Sequence, residues 1–212
     1  MKKKKKIKPE VYKPSIPDIL RSLSAEPQWI KLLQGRNKPY DRILSDLHYL
    51  FQKMNTDEKY DFSVSGISKA LNISTSDLSK WSRQLYDDIF ELNSAEPELF
   101  KTEGKKFDLN FEAFTEYADL TLWLNFTPRK DEIFKFDFLN ARLRFSMFYV
   151  EEVDHEFWDG KNSITVFLGT HKPNTYRRLL HDKALFYHLI GIIESFPSQS
   201  ALDERLIRFY PH

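Results

Sequence analysis

The sequence predicts an α+β protein with a mainly helical N-terminal half, then a mostly antiparallel sheet and one long helix. In residues 39–54 and 67–93, apolar side chains recur at three- and four-residue steps, the spacing of one face of a helix. Between residues 120 and 168 they alternate with polar side chains, which is typical of strands. Strands followed by a long helix and a final strand indicate an α+β second half.

The composition excludes several classes of protein. Apolar residues make up 41% of the 212 residues and include 18 phenylalanines, enough for a packed core. There is no cysteine, so a disulfide framework and a thiolate nucleophile are both impossible. No apolar run approaches the roughly 20 residues of a membrane-spanning helix. We therefore expect a cytoplasmic protein without a membrane partner.

The N-terminal half begins with a basic run and continues in helices. Residues 1–13 hold seven lysines and one glutamate, and prolines follow, which predicts an extended, mobile arm over residues 1–17. Residues 18–34 predict short helical pieces interrupted at Pro27. Residues 39–54 predict an amphipathic helix. Its apolar face holds Ile43, Leu44, Leu47, Leu50, Phe51 and Met54.

The stretch Gly66–Leu85, GISKALNISTSDLSKWSRQL, predicts two helices joined by a tight turn. A short strand is expected before it, because Tyr60, Phe62 and Val64 alternate with polar residues. Ser65 and Ser74 can cap the two helices. The second helix is expected to run to about Asn93 and to bury Leu78, Trp81, Leu85 and Ile89.

Two alternating runs on either side of Glu103-Gly104-Lys105 then predict a β-hairpin, with Gly104 available for a positive φ. Over residues 40–111, the order helix, strand, helix, turn, helix, hairpin resembles the winged helix-turn-helix superfamily of DNA-binding domains. The resemblance lies in Ile67, Ala70, Leu71, Asn72, Ile73, Ser74 and Leu78. The family usually has glycine where Asn72 stands, and asparagine also tolerates the left-handed conformation.

The resemblance implies that the helix beginning at Ser74 enters the major groove of double-stranded DNA and that the hairpin tip grips the backbone. The function expected is that of a sequence-specific DNA-binding protein, a transcriptional regulator or replication accessory factor, with no enzymatic activity and no cofactor. Serine, threonine, lysine, arginine and aspartate can all contact phosphate or base edges. The implied contacts are Thr75, Ser76, Asp77, Ser79, Lys80 and Arg83 on the helix, and Lys101, Lys105 and Lys106 at the hairpin tip.

The charge distribution gives weight to a second function. Residues 40–111 carry 9 Lys and Arg against 13 Asp and Glu, a net charge of −4. DNA-binding domains normally carry a basic surface, because neutralising phosphates supplies much of the affinity. A non-enzymatic protein-interaction module that uses the winged-helix fold is therefore the alternative.

The C-terminal half is expected to begin with a helix over residues 112–119. Strands follow over residues 120–126, 134–138, 143–149 and 164–168, with a hairpin turn at Asp159-Gly160, a helix over residues 175–196 and a strand over residues 204–210. We predict that residues 18–111 form the winged helix-turn-helix domain with its preceding helices. Residues 112–212 would form an α+β domain for dimerisation or effector sensing, through which the protein could form a homodimer.

Two polar groups in this half raise the possibility of enzymatic or ligand-binding chemistry. Strand alternation would put Glu152, Asp154 and Glu156 on one face, beside Glu151 and His155, where a nuclease could hold a metal. Neither an HExxH motif nor a glycine-rich phosphate loop accompanies them. An anion pocket of Arg177, Arg178 and His181 is the second possibility, and a plain surface stripe is equally compatible with that spacing.

Overall fold

The computed structural model describes residues 12–56, 63–172 and 175–188. The chain divides into two compact units, residues 1–170 and residues 171–212. The boundary expected between residues 111 and 112 falls inside a strand of the first unit, so it does not coincide with this division. The described part of the second unit is mainly one helix, in which Ala184 is buried.

Helices make up most of the first hundred residues, as expected. They are α1 (Ile16–Ala25), α2 (Pro27–Lys31), α3 (Leu44–Thr56), α4 (Val64–Ala70) and α5 (Thr75–Ala95). A 3-10 turn over Asp41–Ile43 leads into α3, and another covers Pro97–Phe100. Later in the chain come α6 (Asn140–Leu143) and, in the second unit, α7 (Thr175–Phe186).

Local signals account for where several of these helices begin. The break at Pro27 is confirmed: α1 ends before it and α2 begins with it, because proline suits the first helical position. The backbone N–H of Gly66 donates to Ser63 Oγ at 3.0 Å, so Ser63, and not Ser65, caps α4. Of the strand expected over residues 60–64, only Ser63 and Val64 lie within the described residues: Ser63 caps α4 and Val64 begins it.

One five-stranded sheet follows in the first unit, in the order β2-β1-β5-β4-β3. Its strands are β1 (Lys105–Ala113), β2 (Glu116–Leu124), β3 (Ile133–Lys135), β4 (Met147–Trp158) and β5 (Lys161–Gly169). The prediction of a mixed helix and strand protein is confirmed, and three of the four strand pairs are antiparallel. The central pair, β1 with β5, is parallel.

The predicted hairpin around Gly104 is wrong. Residues Pro97–Phe100 form a 3-10 turn instead of a strand, so they do not pair with β1. The hairpin is formed by β1 and β2, and it turns at Phe114 and Thr115. Gly104 does have a positive φ of 123°, and a Cβ there would lie 2.1 Å from the carbonyl oxygen of Leu124, so both the conformation and the space require glycine.

Other predictions in this half have mixed outcomes. The helix expected over residues 112–119 is wrong, because the end of β1 and the start of β2 occupy it. The strand expected over residues 120–126 is confirmed as far as Leu124, where β2 ends. The turn at Asp159-Gly160 between β4 and β5 is also confirmed. The strands expected over residues 134–138 and 143–149 are interrupted by a 3-10 turn over Asp137–Leu139 and by α6. The strand over residues 204–210 and the helix beyond residue 188 lie outside the described residues.

The core of the first unit fixes the position of α5. One face of the sheet is buried through alternate residues such as Phe107, Leu109 and Phe111 of β1. Helix α5 contacts α1, α4 and β2. The hydroxyl of Tyr86, in the middle of α5, donates to the carbonyl oxygen of Phe138 at 2.8 Å, and their rings are 5.0 Å apart. These contacts attach α5 to the rest of the unit along its buried side.

Candidate nucleic-acid interface

The connection between α4 and α5 is a tight turn with the local structure that the sequence predicts. Asn72 has the expected positive φ, 52°, which an asparagine tolerates better than most residues. The N–H of Ile73 donates to the carbonyl of Ser68 at 3.0 Å, closing the end of α4. The N–H of Asp77 donates to Ser74 Oγ at 3.0 Å, so Ser74 caps α5 as predicted. Both ends of the turn are therefore fixed by hydrogen bonds.

The buried side of α5 determines which of its residues face outward. Its inner side includes all four of the predicted side chains, Leu78, Trp81, Leu85 and Ile89. The opposite side carries a row of exposed residues at three- and four-residue steps, which we call the α5 stripe. The α5 stripe consists of Ser76, Lys80, Arg83, Asp87 and Glu91.

The six predicted contacts on α5 differ in how they are engaged. Thr75, Ser76 and Lys80 are exposed at the first two turns of the helix. The Asp77 carboxylate accepts from Ser74 Oγ at 2.8 Å, so it already takes part in the helix cap. Ser79 is half-buried, and its Oγ donates to the carbonyl of Thr75 at 2.7 Å, within the helix. The N-terminal turns of α5 thus present hydroxyl groups and a lysine.

Arg83 is the exception among the predicted contacts. Its guanidinium Nη1 donates to the carbonyl oxygen of Pro14 at 2.9 Å, which ties the segment before α1 to the third turn of α5. Sequence reasoning missed this contact, because nothing in the local pattern links two residues so distant in the chain. Of the arm expected over residues 1–17, residues 1–11 lie outside the described residues, and Ile16 and Pro17 belong to α1 instead.

The lysines expected at a hairpin tip lie at the opposite end of α5. Lys101 and Lys105 are exposed, and Lys106 Nζ lies 3.6 Å from a carboxylate oxygen of Glu98, just beyond the helix end. Lys80 and Ala95 are separated by 15 residues, or about 22 Å at 1.5 Å per residue. The structure therefore does not bring the two halves of the predicted DNA-contacting set together. The tip of the observed hairpin, at Phe114 and Thr115, carries no lysine.

Two buried polar side chains hold the C-terminal half of α5, and sequence reasoning assigned neither. Asp88 accepts hydrogen bonds from the Tyr40 hydroxyl and from Lys38 Nζ, and burial together with Asp88 raises the pKa of Tyr40 above its usual range. Asn93 donates to the Thr121 carbonyl at 2.9 Å and accepts from the Thr121 N–H at 2.8 Å. Asp88 and Asn93 follow the same helical period as Leu85, Ile89 and Leu92, and this period could have predicted that both are buried.

The acidic residues of β4 lie on an exposed hairpin arm. We use this name for residues 152–163, where β4 and β5 extend beyond their other neighbours in the sheet. Phe157 and Trp158, near its tip, are 74% and 79% exposed. Strand alternation puts Glu152, Asp154 and Glu156 on one face of it, as predicted. Within residues 12–56, 63–172 and 175–188, no three histidine, aspartate or glutamate side chains converge closely enough to hold a metal ion.

Comparisons with known proteins identify no relative. No protein-family model matches the chain, and neither does any curated protein or solved structure at a significant level. None of the helices in the described part of the chain is both long enough and apolar enough to cross a membrane. The expected anion pocket involves the side chains of Arg177, Arg178 and His181, which lie outside the described part of the structure. Any functional conclusion therefore depends on the geometry of the described residues.

Proposed function

We propose that the protein binds double-stranded DNA without an enzymatic activity and that the N-terminal turns of α5 enter the major groove. The observation that carries this proposal is the turn at Asn72, which leads directly into exposed Thr75, Ser76 and Lys80. Hydroxyl groups can donate to or accept from base edges and phosphates, and lysine can contact guanine or phosphate. The positive end of the helix dipole adds to the attraction of phosphate.

Part of the negative charge of residues 40–111 lies on α5, far along the helix from its N-terminal turns. The acidic members of the α5 stripe begin at Asp87, 11 residues after Ser76, which is about 16 Å along the helix axis. The major groove is roughly 8.5 Å deep. If the N-terminal turns occupy the groove, Asp87 and Glu91 therefore remain outside it. The residues close to phosphate are then neutral or basic, apart from Asp77, whose carboxylate is engaged in the cap.

A regulator or replication accessory factor in the cytoplasm is the kind of protein we propose, acting as a dimer through residues 112–212. Two symmetry-related copies would place two α5 helices in major grooves one helical turn apart. Phe157 and Trp158 of the hairpin arm support a protein contact in this half, because large exposed aromatic side chains are typical of interfaces. The same two side chains, with the acidic charge of residues 40–111, favour a protein-interaction module as the second candidate.

The test is a binding titration of the full chain against a random-sequence duplex at several salt concentrations. We expect binding that weakens as salt rises, and Ser76→Ala with Lys80→Ala should weaken it by roughly tenfold or more, the cost of removing a base or phosphate contact. Lys105→Ala is the control for the loss of one lysine and is compared with Lys80→Ala alone, because Lys105 is an exposed lysine beyond the far end of α5. Equal losses from the two variants, or no binding even at low salt, would exclude the α5 interface and favour the protein-interaction module.

A further inference from the structure

Two exposed arginines on elements outside α5 lie over aromatic rings of that helix. Arg42 belongs to the 3-10 turn before α3, and its guanidinium carbon lies 4.8 Å from the centre of the Trp81 ring. Contact with the face of a ring holds a guanidinium in place without using its N–H groups. Among the described residues, the guanidinium of Arg42 has neither an ion-pair partner nor a hydrogen-bond acceptor. Its N–H groups can therefore donate to a ligand at the surface.

Arg142, in the last turn of α6, has a similar arrangement further along α5. Its guanidinium carbon lies 4.4 Å from the centre of the Phe90 ring, and its Nε donates to the carbonyl oxygen of Tyr117 at 3.4 Å. The described part of the chain supplies no acceptor for its two Nη groups. Burial raises the pKa of Asp87, and the positive charges of Arg142 and Arg83 act in the opposite direction. Arg142 thus offsets part of the first acidic charge on the α5 stripe and still presents two donor nitrogens.

The two arginines lie on opposite sides of the α5 stripe. Successive residues of a helix are about 100° apart, so Trp81 is turned about 100° from Lys80 in one direction and Phe90 about 60° from Asp87 in the other. Phe90 follows Trp81 by nine residues, about 14 Å along the helix axis. The major groove is roughly 12 Å wide, and the phosphates of both strands border it. An α5 that crosses the groove would therefore hold one arginine near each border.

We propose that Arg42 and Arg142 bind phosphates of the two DNA strands that border the major groove contacted by α5. This inference rests on the proposed function. It assigns to two arginines the backbone contacts that the sequence predicts for Lys101, Lys105 and Lys106. Those lysines follow the far end of α5, whereas the arginines lie beside it. A guanidinium with two free nitrogens can bind two oxygens of one phosphate in parallel, so each arginine fixes the orientation of α5 as well as adding charge.

The experiment measures binding of the full chain to a random-sequence duplex over a series of salt concentrations. Arg42→Gln and Arg142→Gln should each reduce the slope of log affinity against log salt by about 0.9, the contribution of one neutralised phosphate. The double variant should reduce it by about 1.8, because the two phosphates belong to different strands. Arg36→Gln is the matched control: Arg36 pairs with Glu96 at the far end of α5, so its loss should leave the slope unchanged.

Each alternative outcome has a definite meaning. If neither arginine variant changes the slope more than Arg36→Gln does, the inference is wrong, while binding that still depends on Ser76 and Lys80 leaves the proposed function in place. A double variant that loses the contribution of only one phosphate would show that the arginines do not contact both strands. Failure of the unaltered chain to bind any duplex would overturn the proposed function itself.

A second variant separates the charge of Arg42 from its packing on Trp81. Arg42→Lys keeps the positive charge and should keep the salt slope of the unaltered chain, even where stacking on the ring is weakened. A slope as low as that of Arg42→Gln would show that the effect comes from lost packing and would contradict the phosphate contact. Thermal melting of every variant checks that the fold is retained.

Discussion

The two halves of α5 differ in the charge of their exposed residues and in the contacts that hold them to the rest of the unit. In the N-terminal half, the α5 stripe holds Ser76, Lys80 and Arg83, and the helix is fixed mainly by its own cap and by apolar side chains. In the C-terminal half, the stripe continues with Asp87 and Glu91. Here buried polar side chains bind the helix to a loop and to the sheet.

This difference shows how one helix can be both firmly attached and available for binding. Asp88 binds the loop that carries Tyr40, and Asn93 binds the open edge of β2. The N-terminal turns are instead held by buried apolar side chains, among them Leu78 and Trp81. A binding element supported in this way keeps its side chains in place before a ligand arrives. Three predictions test whether the halves differ as described.

The largest effect is expected from Asn93→Ala. Asn93 is only 1% exposed, and its amide satisfies both backbone groups of Thr121 on an edge strand. Removing the amide leaves these two groups unpaired, which should lower the free energy of unfolding by about 2–4 kcal/mol. Ser79→Ala, in the other half, should change it by less than about 0.5 kcal/mol, as is usual for a surface position. Chemical denaturation of both variants measures the difference, and similar losses would mean that the two halves are anchored alike.

A smaller effect is expected at the turn that begins the N-terminal half. Asn72→Ala should destabilise the protein by about 1 kcal/mol, because alanine is disfavoured in the left-handed conformation. Asn72→Gly should be neutral or slightly stabilising, because glycine adopts a positive φ without a steric cost. Thermal melting of the two variants provides the comparison. If alanine and glycine behaved alike, the left-handed turn would not be required for the stability of the fold.

The sequence was informative about α5 because its determinants are local. Its apolar period identifies Leu78, Trp81, Leu85 and Ile89 as buried, and single residues mark its start: Asn72 for the left-handed turn and Ser74 for the cap. The exposed stripe follows from the same period. For this reason the sequence could place Thr75, Ser76 and Lys80 on one exposed surface, although it could not test whether they bind DNA.

The sheet was less predictable because the pairing that joins its two hairpins is not local. Asp108 of β1 pairs with Thr165 of β5, and no nearby residue indicates this parallel partner. Gly104 has the predicted positive φ, but it serves the close approach to Leu124 and does not form a hairpin turn. The actual turn uses Phe114 with a φ of 59°, a conformation that aromatic residues rarely adopt. The contact of Arg83 with Pro14 could not be predicted for the same reason, because the two residues are far apart in the sequence.

The smallest effect is expected at the far C-terminal end of α5 and depends on pH. Arg36 Nη1 donates to Glu96 Oε1 at 2.8 Å, and this hydrogen bond holds the pKa of Glu96 below its ordinary value of 4.5. A lowered pKa in the folded state stabilises the fold above pH 4.5, and that stabilisation is lost as pH falls through the folded-state pKa. Wild type should therefore be more stable than Glu96→Gln at about pH 7, and the two should converge in acid. Both residues are largely exposed, so the gap is expected to be small. Measured in an Arg36→Gln background, the gap should be smaller at every pH; an unchanged gap would show that Arg36 is not its cause.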